Sequence, residues 1–274
     1  HHQKFAVNVN KGKFHCWHCG AKGGNLVGLF RRLDVSKEQI RLLKELLPES
    51  MVRDYDQSTD KDVVLRLPGE YRPLWQPAKS YEYKHAVHYL KERHITGYDI
   101  LRYRMGYCEE GPYKGRIIIP SYDANGVLNY FTGRAYEEGS MKYKNPPVSK
   151  NIICFGNQIN WQEPLVICEG MFDAISIRRN AVPMLGKFLP RALKTAIFRH
   201  LVEEVYVLLD PDARTDALEL EQTLSSNGIR TYQVLLDTVD AGELGFQKTW
   251  EYINRAKEST FKDYIQHKLQ TIWR

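Results

Sequence analysis

From Gly156 onward, short apolar runs alternate with amphipathic stretches. The runs at 164–168, 182–185, 205–209 and 229–236 are bounded by polar residues and rich in Val, Ile and Leu, as buried strands are. Between them the spacing predicts helices over 172–180, 190–201 and 215–227. A parallel strand pair needs a crossover, so strand and helix in strict alternation read as a parallel α/β core of four strands. Helical patterns over Trp250 to Lys257 and Phe261 to Leu269 follow it.

The front half has a different rhythm. Phe5, Val7 and Val9 alternate with Ala6, Asn8 and Asn10, and Lys11-Gly12-Lys13 supplies a turn before Phe14-His15-Cys16-Trp17-His18-Cys19-Gly20, which predicts a β-hairpin ending in a Cys-x-x-Cys knuckle. Gly24-Asn25 opens a short helix from Leu26 to Leu33. One amphipathic stretch, Lys37 to Leu47, then precedes a polar run, Asp54 to Asp62, and a proline-containing stretch, Pro68 to Pro77, so 34–80 reads as a linker carrying one helix. Tyr83 to His94 predicts an amphipathic helix with Val87 and Leu90 on one face and Lys84 and Lys91 on the other. Gly115 to Pro120 reads as a strand, Asp123-Ala124-Asn125-Gly126 as a hairpin turn and Val127 to Phe131 as the returning strand.

With 274 residues, 43% hydrophobic and 26% charged, the chain has room for two globular domains. Neither a run of eighteen apolar residues nor a basic-then-apolar leader is visible, so no membrane span or secretory signal is expected and a cytoplasmic location follows by default. The net charge of +6 is uneven: 25 basic residues face 17 acidic ones over positions 1–150, against 14 and 16 over 151–274. Residues 1–33 hold Lys4, Lys11, Lys13, Lys22, Arg31 and Arg32 and no acid. A basic front and a slightly acidic back suit a polyanion held by one part while metal-bearing carboxylates sit in the other.

Those carboxylates stand at strand ends. The first core strand runs into Glu169-Gly170, the third into Asp210-Pro211-Asp212, and the last into Asp237-Thr238-Val239-Asp240, with Glu243 beyond. Open α/β sheets carry their chemistry outside the carboxyl ends of the strands. One such acid alone is an ordinary helix cap; together they predict a hard divalent cation acting on phosphates. Upstream, Arg116, Arg134, Lys142, Tyr143, Lys144, Asn145 and Lys150 interleave cations with residues that stack on or hydrogen-bond to bases, although each lysine singly reads as a solvated charge.

Five cysteines without framework spacing argue against a disulfide scaffold, and Cys154 and Cys168 lie in apolar runs as small core residues. Cys16 and Cys19 suit half of a tetrahedral zinc site, since a redox pair would need a βαβ setting that the hairpin lacks. Two further ligands are needed, from His1 and His2 or from a segment upstream. His15 and His18 read as surface residues able to contact phosphate.

In their order these motifs resemble the DnaG-type primases. Glu169-Gly170 and Asp210-Pro211-Asp212, with Asp240 behind them, are similar to the TOPRIM domain that those enzymes share with type IA and type II topoisomerases and some nucleases. The knuckle with Gly23-Gly24-Asn25 resembles the second half of the primase zinc ribbon. Arg116-Ile117-Ile118-Ile119-Pro120, Asn125-Gly126, Thr132-Gly133-Arg134 and Lys142-Tyr143-Lys144-Asn145 resemble the basic subdomain that precedes TOPRIM, and Ile153-Cys154-Phe155-Gly156 matches the stretch joining the two. The resemblance covers nearly all of the chain outside 35–80, in a layout similar to small tailed-phage primases, with the ribbon's first ligand pair absent.

This resemblance implies an α/β chain organised as a zinc-ribbon half (1–33), a linker with one helix (34–80), a basic α+β subdomain (81–156), a TOPRIM parallel α/β core (157–245) and a C-terminal helical segment (246–274). It implies a nucleotidyltransferase, a DNA-templated RNA polymerase that makes short RNA primers from NTPs on single-stranded DNA for replication. Asp210, Asp212 and Asp240 would hold catalytic Mg²⁺ or Mn²⁺, with Glu169 as a further ligand or general base. Arg116, Arg134, Lys142, Lys144 and Lys150 would line the groove for template, primer and triphosphate, with Tyr143 and Asn145 near base or sugar. Cys16 and Cys19 would bind structural Zn²⁺, a replicative helicase would be the partner, and the cytoplasm, the host's if phage-encoded, the location. The same carboxylates would serve a TOPRIM nuclease. A topoisomerase would need a nucleophilic tyrosine in a large separate domain, for which the chain has little room. A non-catalytic zinc-ribbon DNA-binding replication subunit is the rival from another class, and clustered negative charge facing a polyanion argues against it.

Overall fold

A computed structural model describes residues 5–16, 22–33, 35–48, 65–137, 141–186, 188–210, 213–237 and 240–272. The chain divides into two compact units, 1–64 and 65–274.

In the first unit, β1 (Phe5–Asn8), β2 (Lys13–Cys16) and β3 (Lys22–Gly23) form an antiparallel sheet in that order, with Val7 opposite Phe14 and Phe14 opposite Gly23. The turn is made as the sequence suggests: Asn8 Oδ1 accepts from the Lys11 amide at 3.0 Å, and Gly12 takes the left-handed conformation at φ 62°. Asn25 caps α1 (Leu26–Arg32), accepting from the amides of Val27 and Gly28 at 2.8 and 3.2 Å. Ser36 and Gln39 close a capping box on α2 (Lys37–Leu46). Phe14, Leu26 and Leu29 are the buried core, with Leu43 and Leu47 against it. Cys19, His1, His2, His18 and the Cys16 side chain lie outside the described residues.

The second unit holds two sheets. β4 (Tyr71–Pro73), β5 (Gly106–Cys108), β6 (Arg116–Tyr122), β7 (Leu128–Ala135) and β8 (Tyr143–Lys144) are antiparallel and adjacent in that order, flanked by α3 (Tyr81–Glu92) and α4 (Gly97–Arg102). Two of these elements depart from expectation. Tyr71–Pro73, inside the stretch expected as linker, pairs with β5; the Tyr71 ring lies against Gly106, where a side chain would collide with it, and its hydroxyl donates to the Arg104 carbonyl at 2.9 Å. An edge strand tolerates proline, and three residues are too few to show a period. The α4 helix is set by a Thr96/Asp99 capping box rather than by an amphipathic pattern.

The predicted hairpin joins β6 and β7: Asp123 Oδ1 accepts from the amides of Asn125 and Val127, both at 2.9 Å, and Gly126 takes φ 78°. Ile117 and Ile119 face the main core, and Ile118 faces a smaller cluster with Cys108 and Phe131, so β6 is buried on both sides.

The second sheet contains β9 (Leu165–Cys168), β10 (Ala181–Pro183), β11 (Glu204–Leu208), β12 (Arg230–Gln233) and β13 (Lys257–Glu258) in the order β10-β9-β11-β12-β13. The first four are parallel, as predicted, and β13 adds an antiparallel edge. The crossovers are α5 (Met171–Ile177), α6 (Arg191–Arg199) and α7 (Arg214–Ser225); α8 (Ala241–Asn254), broken at Gly245, and α9 (Phe261–Ile272) follow. Alternate residues of β9 enter different cores: Val166 and Cys168 pack with Ile117 and Ile119 of the other sheet, whereas Leu165 and Ile167 pack with Leu193, Ile197 and Leu224 of the outer helices. The shared core fixes the two sheets against each other. Among the described residues, no helix is long and apolar enough to cross a membrane.

Candidate active site

Glu169 stands one residue beyond β9 and Asp210 two beyond β11. Asp240, reached after β12, caps α8 by accepting from the Glu243 amide at 2.8 Å. All three line one cleft of about 380 Å³, so strand ends far apart in sequence converge as the parallel topology requires. The opposite wall comes from the antiparallel sheet and its flanks: Arg93, Thr132, Lys142, Tyr143, Asn145 and Lys150. Leu185 and Gly186, after β10, close one side, and Lys150 Nζ donates to the Leu185 carbonyl at 2.8 Å.

A fourth carboxylate lies beneath. Asp173, 8% exposed, accepts from the Gly170 amide at 2.9 Å and from the Gly242 amide at 3.2 Å, which ties the Glu169 turn to the Asp240 turn. Burial pushes its carboxyl up to about 7, and Asp240 and Asp210 add to the rise by repulsion, while the two amides oppose it. Sequence reasoning passed over Asp173 because an acid three residues after a helix N-cap is ordinary capping chemistry, which it also performs. Gly242 packs tightly in this turn: a Cβ there would sit 3.1 Å from Asp240 Oδ1 and 3.2 Å from an Arg93 nitrogen, so any side chain would push on both.

Arg93 is the second residue passed over. Its guanidinium carbon lies 5.3 Å from the Tyr89 ring centre and 5.4 Å from that of Phe172, and one nitrogen is 3.7 Å from Glu243 Oε1. Stacking on two rings aims the planar cation into the cleft.

The predicted basic residues divide. Lys142, Tyr143, Asn145 and Lys150 line the cleft. Arg134 does not; it is buried behind them, its guanidinium carbon 4.7 Å from the Tyr143 ring centre and within 6 Å of those of Tyr89 and Phe172. Arg116 is buried in β6 and donates to the Gly133 carbonyl at 3.1 Å, so it supports the sheet rather than the cleft. Lys144 is turned away from the cleft, because successive strand residues face opposite ways; its ammonium donates to the Pro112 carbonyl at 2.6 Å over the Tyr113 ring.

Asp212 and Cys19 lie outside the described residues, as does the side chain of Cys16. Among the described residues, no group of three His, Cys, Asp or Glu side chains is arranged to hold a metal ion. In kind, however, the cleft fits a hard divalent cation: its donors are carboxylate oxygens, and their mutual repulsion, visible in Asp173, is what a bound cation relieves.

No protein-family model matches the chain. In an alignment 307 positions long it is 23% identical to the DNA primase of Helicobacter pylori, covering 90% of this chain and 54% of that protein. To the DNA primase of Thermotoga maritima it is 25% identical in an alignment 237 positions long, covering 68% and 41%. The chain thus spans about half or less of the length of these curated relatives. Among solved structures it is similar to the DnaG catalytic core, with a TM-score of 0.58 at 20% identity over 73% of this chain and 79% of that one. It is also similar to the zinc-binding and RNA polymerase domains of Aquifex aeolicus primase, with a TM-score of 0.57 at 20% identity over 93% and 76%. A DnaG primase catalytic domain bound to ssDNA gives a TM-score of 0.58 at 19% identity over 70% and 77%. The fold is therefore that of the DnaG catalytic core.

Proposed function

On the premise of a DnaG-type primase fold, we propose that this chain is the primer-synthesising part of a DNA primase, a nucleotidyltransferase that builds short RNA on a single-stranded DNA template. The observation that carries this reading is one cleft in which acids from three strand ends face cations from the flanks of the antiparallel sheet. Polymerisation needs both, since the triphosphate must be held while charge develops on the attacking and leaving oxygens.

Arg93, Lys142 and Lys150 bind phosphates, and the stacked Arg93 does so with a fixed orientation. Tyr143 offers a ring to a base and Asn145 an amide to the sugar. Asp173 keeps the turns bearing Glu169 and Asp240 together through its two amide bonds. Glu169, Asp210, Asp212 and Asp240 would hold Mg²⁺ or Mn²⁺, which when bound stabilises charge on the reacting oxygens. In the first unit, Cys16 and Cys19 would bind structural Zn²⁺, and exposed Lys11 and Lys13 on a small sheet suit contact with the template. A replicative helicase as partner and a cytoplasmic site of action, in the host if phage-encoded, complete the reading by resemblance.

The test is a priming reaction with single-stranded DNA of random sequence, Mg²⁺ and labelled NTPs. Ribonucleotide chains dependent on template are expected. Shortened DNA would instead indicate a nuclease, and DNA binding without turnover a non-catalytic subunit.

A further inference from the structure

Thr132 and Asn145 join two parts of the cleft wall through one short hydrogen bond. Thr132, 5% exposed in β7, donates from Oγ1 to Asn145 Oδ1 at 2.6 Å, and both side chains line the cleft. An amide can offer a ligand either its oxygen or its nitrogen. With one lone pair of the oxygen held by a buried hydroxyl, the amide is fixed in orientation and its two Nδ2 hydrogens are what it chiefly offers a ligand, so it faces the cleft as a donor. Phosphate is served by the charged donors Arg93, Lys142 and Lys150, and the opposite wall is acidic. A neutral donor beside the Tyr143 ring matches a neutral acceptor, and on a nucleotide the acceptor next to the base is a sugar hydroxyl.

We infer that Thr132 is a positioning residue for sugar selection: it fixes the Asn145 amide so that its nitrogen donates to a ribose hydroxyl, favouring ribonucleoside over deoxyribonucleoside triphosphates. The inference rests on the polymerase reading of the cleft. A site built to hydrogen-bond a substrate hydroxyl rejects the analogue lacking it, because the site's own polar group is then left unpaired. Without the threonine hydroxyl the amide turns freely and presents its oxygen as readily as its nitrogen.

The experiment compares kcat and KM for ribo- and deoxyribonucleotide incorporation by the full chain, for the unaltered protein, Thr132→Val and Thr132→Ser. Valine keeps the branched shape without the hydroxyl. The ratio of kcat/KM for ribo- over deoxyribonucleotides is expected to fall about tenfold in Thr132→Val, the weight of one hydrogen bond, mainly through KM for ribonucleotides. A circular dichroism spectrum and Tm matching those of the unaltered protein report an intact fold in that variant, and Thr132→Ser restores the ratio. Asn145→Ala lowers the ratio as far as Thr132→Val, and the double variant goes no further. A ratio unmoved by valine, or one that serine fails to restore, overturns the inference alone. An unaltered protein that polymerises neither kind of nucleotide overturns the polymerase reading and the inference with it.

Discussion

In the antiparallel sheet, Arg116 and Arg134 lie within strands and are buried, whereas β9 carries no charge and its acid, Glu169, stands past its carboxyl end, as Asp210 does for β11. The contrast follows from how the two kinds of charge tolerate burial. A guanidinium is broad and weakly hydrated, so a carbonyl serves Arg116 and a ring of Tyr89, Tyr143 and Phe172 serves Arg134. A carboxylate has no such substitute for water. Asp173, which does go inside, has its carboxyl pushed up to about 7 despite two amide donors. Front-half Glu109 remains near the surface, and hydrogen bonds from Ser80 and Tyr107 hold its carboxyl below the usual range. Cations can thus be built into this sheet, while reactive acids belong at strand ends.

The sharpest test of that division removes the acids from the strand ends. Glu169→Gln or Asp210→Asn keeps shape and removes charge, and either is expected to lower Mg²⁺-dependent ribonucleotide polymerisation roughly a thousandfold. Binding of single-stranded DNA, measured by fluorescence anisotropy, should hold within about twofold, because its cations stand on the opposite wall of the cleft. Parallel loss of binding would show that the two walls do not divide the work.

The parallel core was legible because strands buried on both faces are continuous apolar runs and their direction puts Glu169, Asp210 and Asp240 at one edge. Other features were hidden by looking ordinary. Arg93 reads as a cation closing an amphipathic helix, and only the arrival of Phe172, distant in sequence, makes it part of the cleft. Asp173 reads as a cap. That Arg116 and Lys144 do not line the cleft could not be foreseen, since β6 is buried on both faces and lacks alternation, and β8 has only two residues. The three-residue β4 and six-residue α4 are too short to carry a period.

The same asymmetry should appear in stability where the two sheets meet. Asp99, 1% exposed on α4, pairs at 2.8 Å with Arg178 just after α5, and Arg178 also lies over the Phe246 ring. Arg178→Leu leaves a buried carboxylate with no countercharge, only the Thr96 amide and hydroxyl, and should cost about 3 kcal/mol in urea unfolding. Asp99→Asn keeps a polar partner and leaves the partly exposed arginine its ring, so about 1–2 kcal/mol is expected. Equal losses would remove the claim that buried acids depend more on their partners than buried cations do.

A second buried acid extends the test to pH. Glu221, 2% exposed on α7, accepts from Ser259 Oγ at 2.7 Å, and burial pushes its carboxyl up to about 7. The folded state then binds this proton more tightly than the unfolded chain does. Its contribution, on the order of 3 kcal/mol, is fully present below the ordinary carboxylate range and is lost as pH rises through about 7. Glu221→Gln should flatten the fall in Tm between about pH 5 and 8, leaving the variant relatively more stable at the alkaline end. An unchanged pH slope would mean that this acid is no better hidden from water than one at a strand end.

The smallest effect separates Lys142 from Lys144. The Lys142 ammonium lines the cleft about one ring away from Tyr143, 6.0 Å from its centre, while the Lys144 ammonium is held by the Pro112 carbonyl on the other side of the strand. A cation that neutralises one phosphate contributes about one counterion to the salt dependence of binding. Lys142→Ala should therefore weaken single-stranded DNA or triphosphate binding a few-fold and reduce the slope of log affinity against log salt by about 0.7. Lys144→Ala should move neither. Lys144 does not line the cleft and its ammonium is anchored on the Pro112 carbonyl, so it belongs with Arg116 among the cations that hold the sheet together. If Lys144→Ala changes the salt slope as much as Lys142→Ala does, the nucleic acid follows a path outside the cleft, and the cations built into the sheet serve binding as well as support.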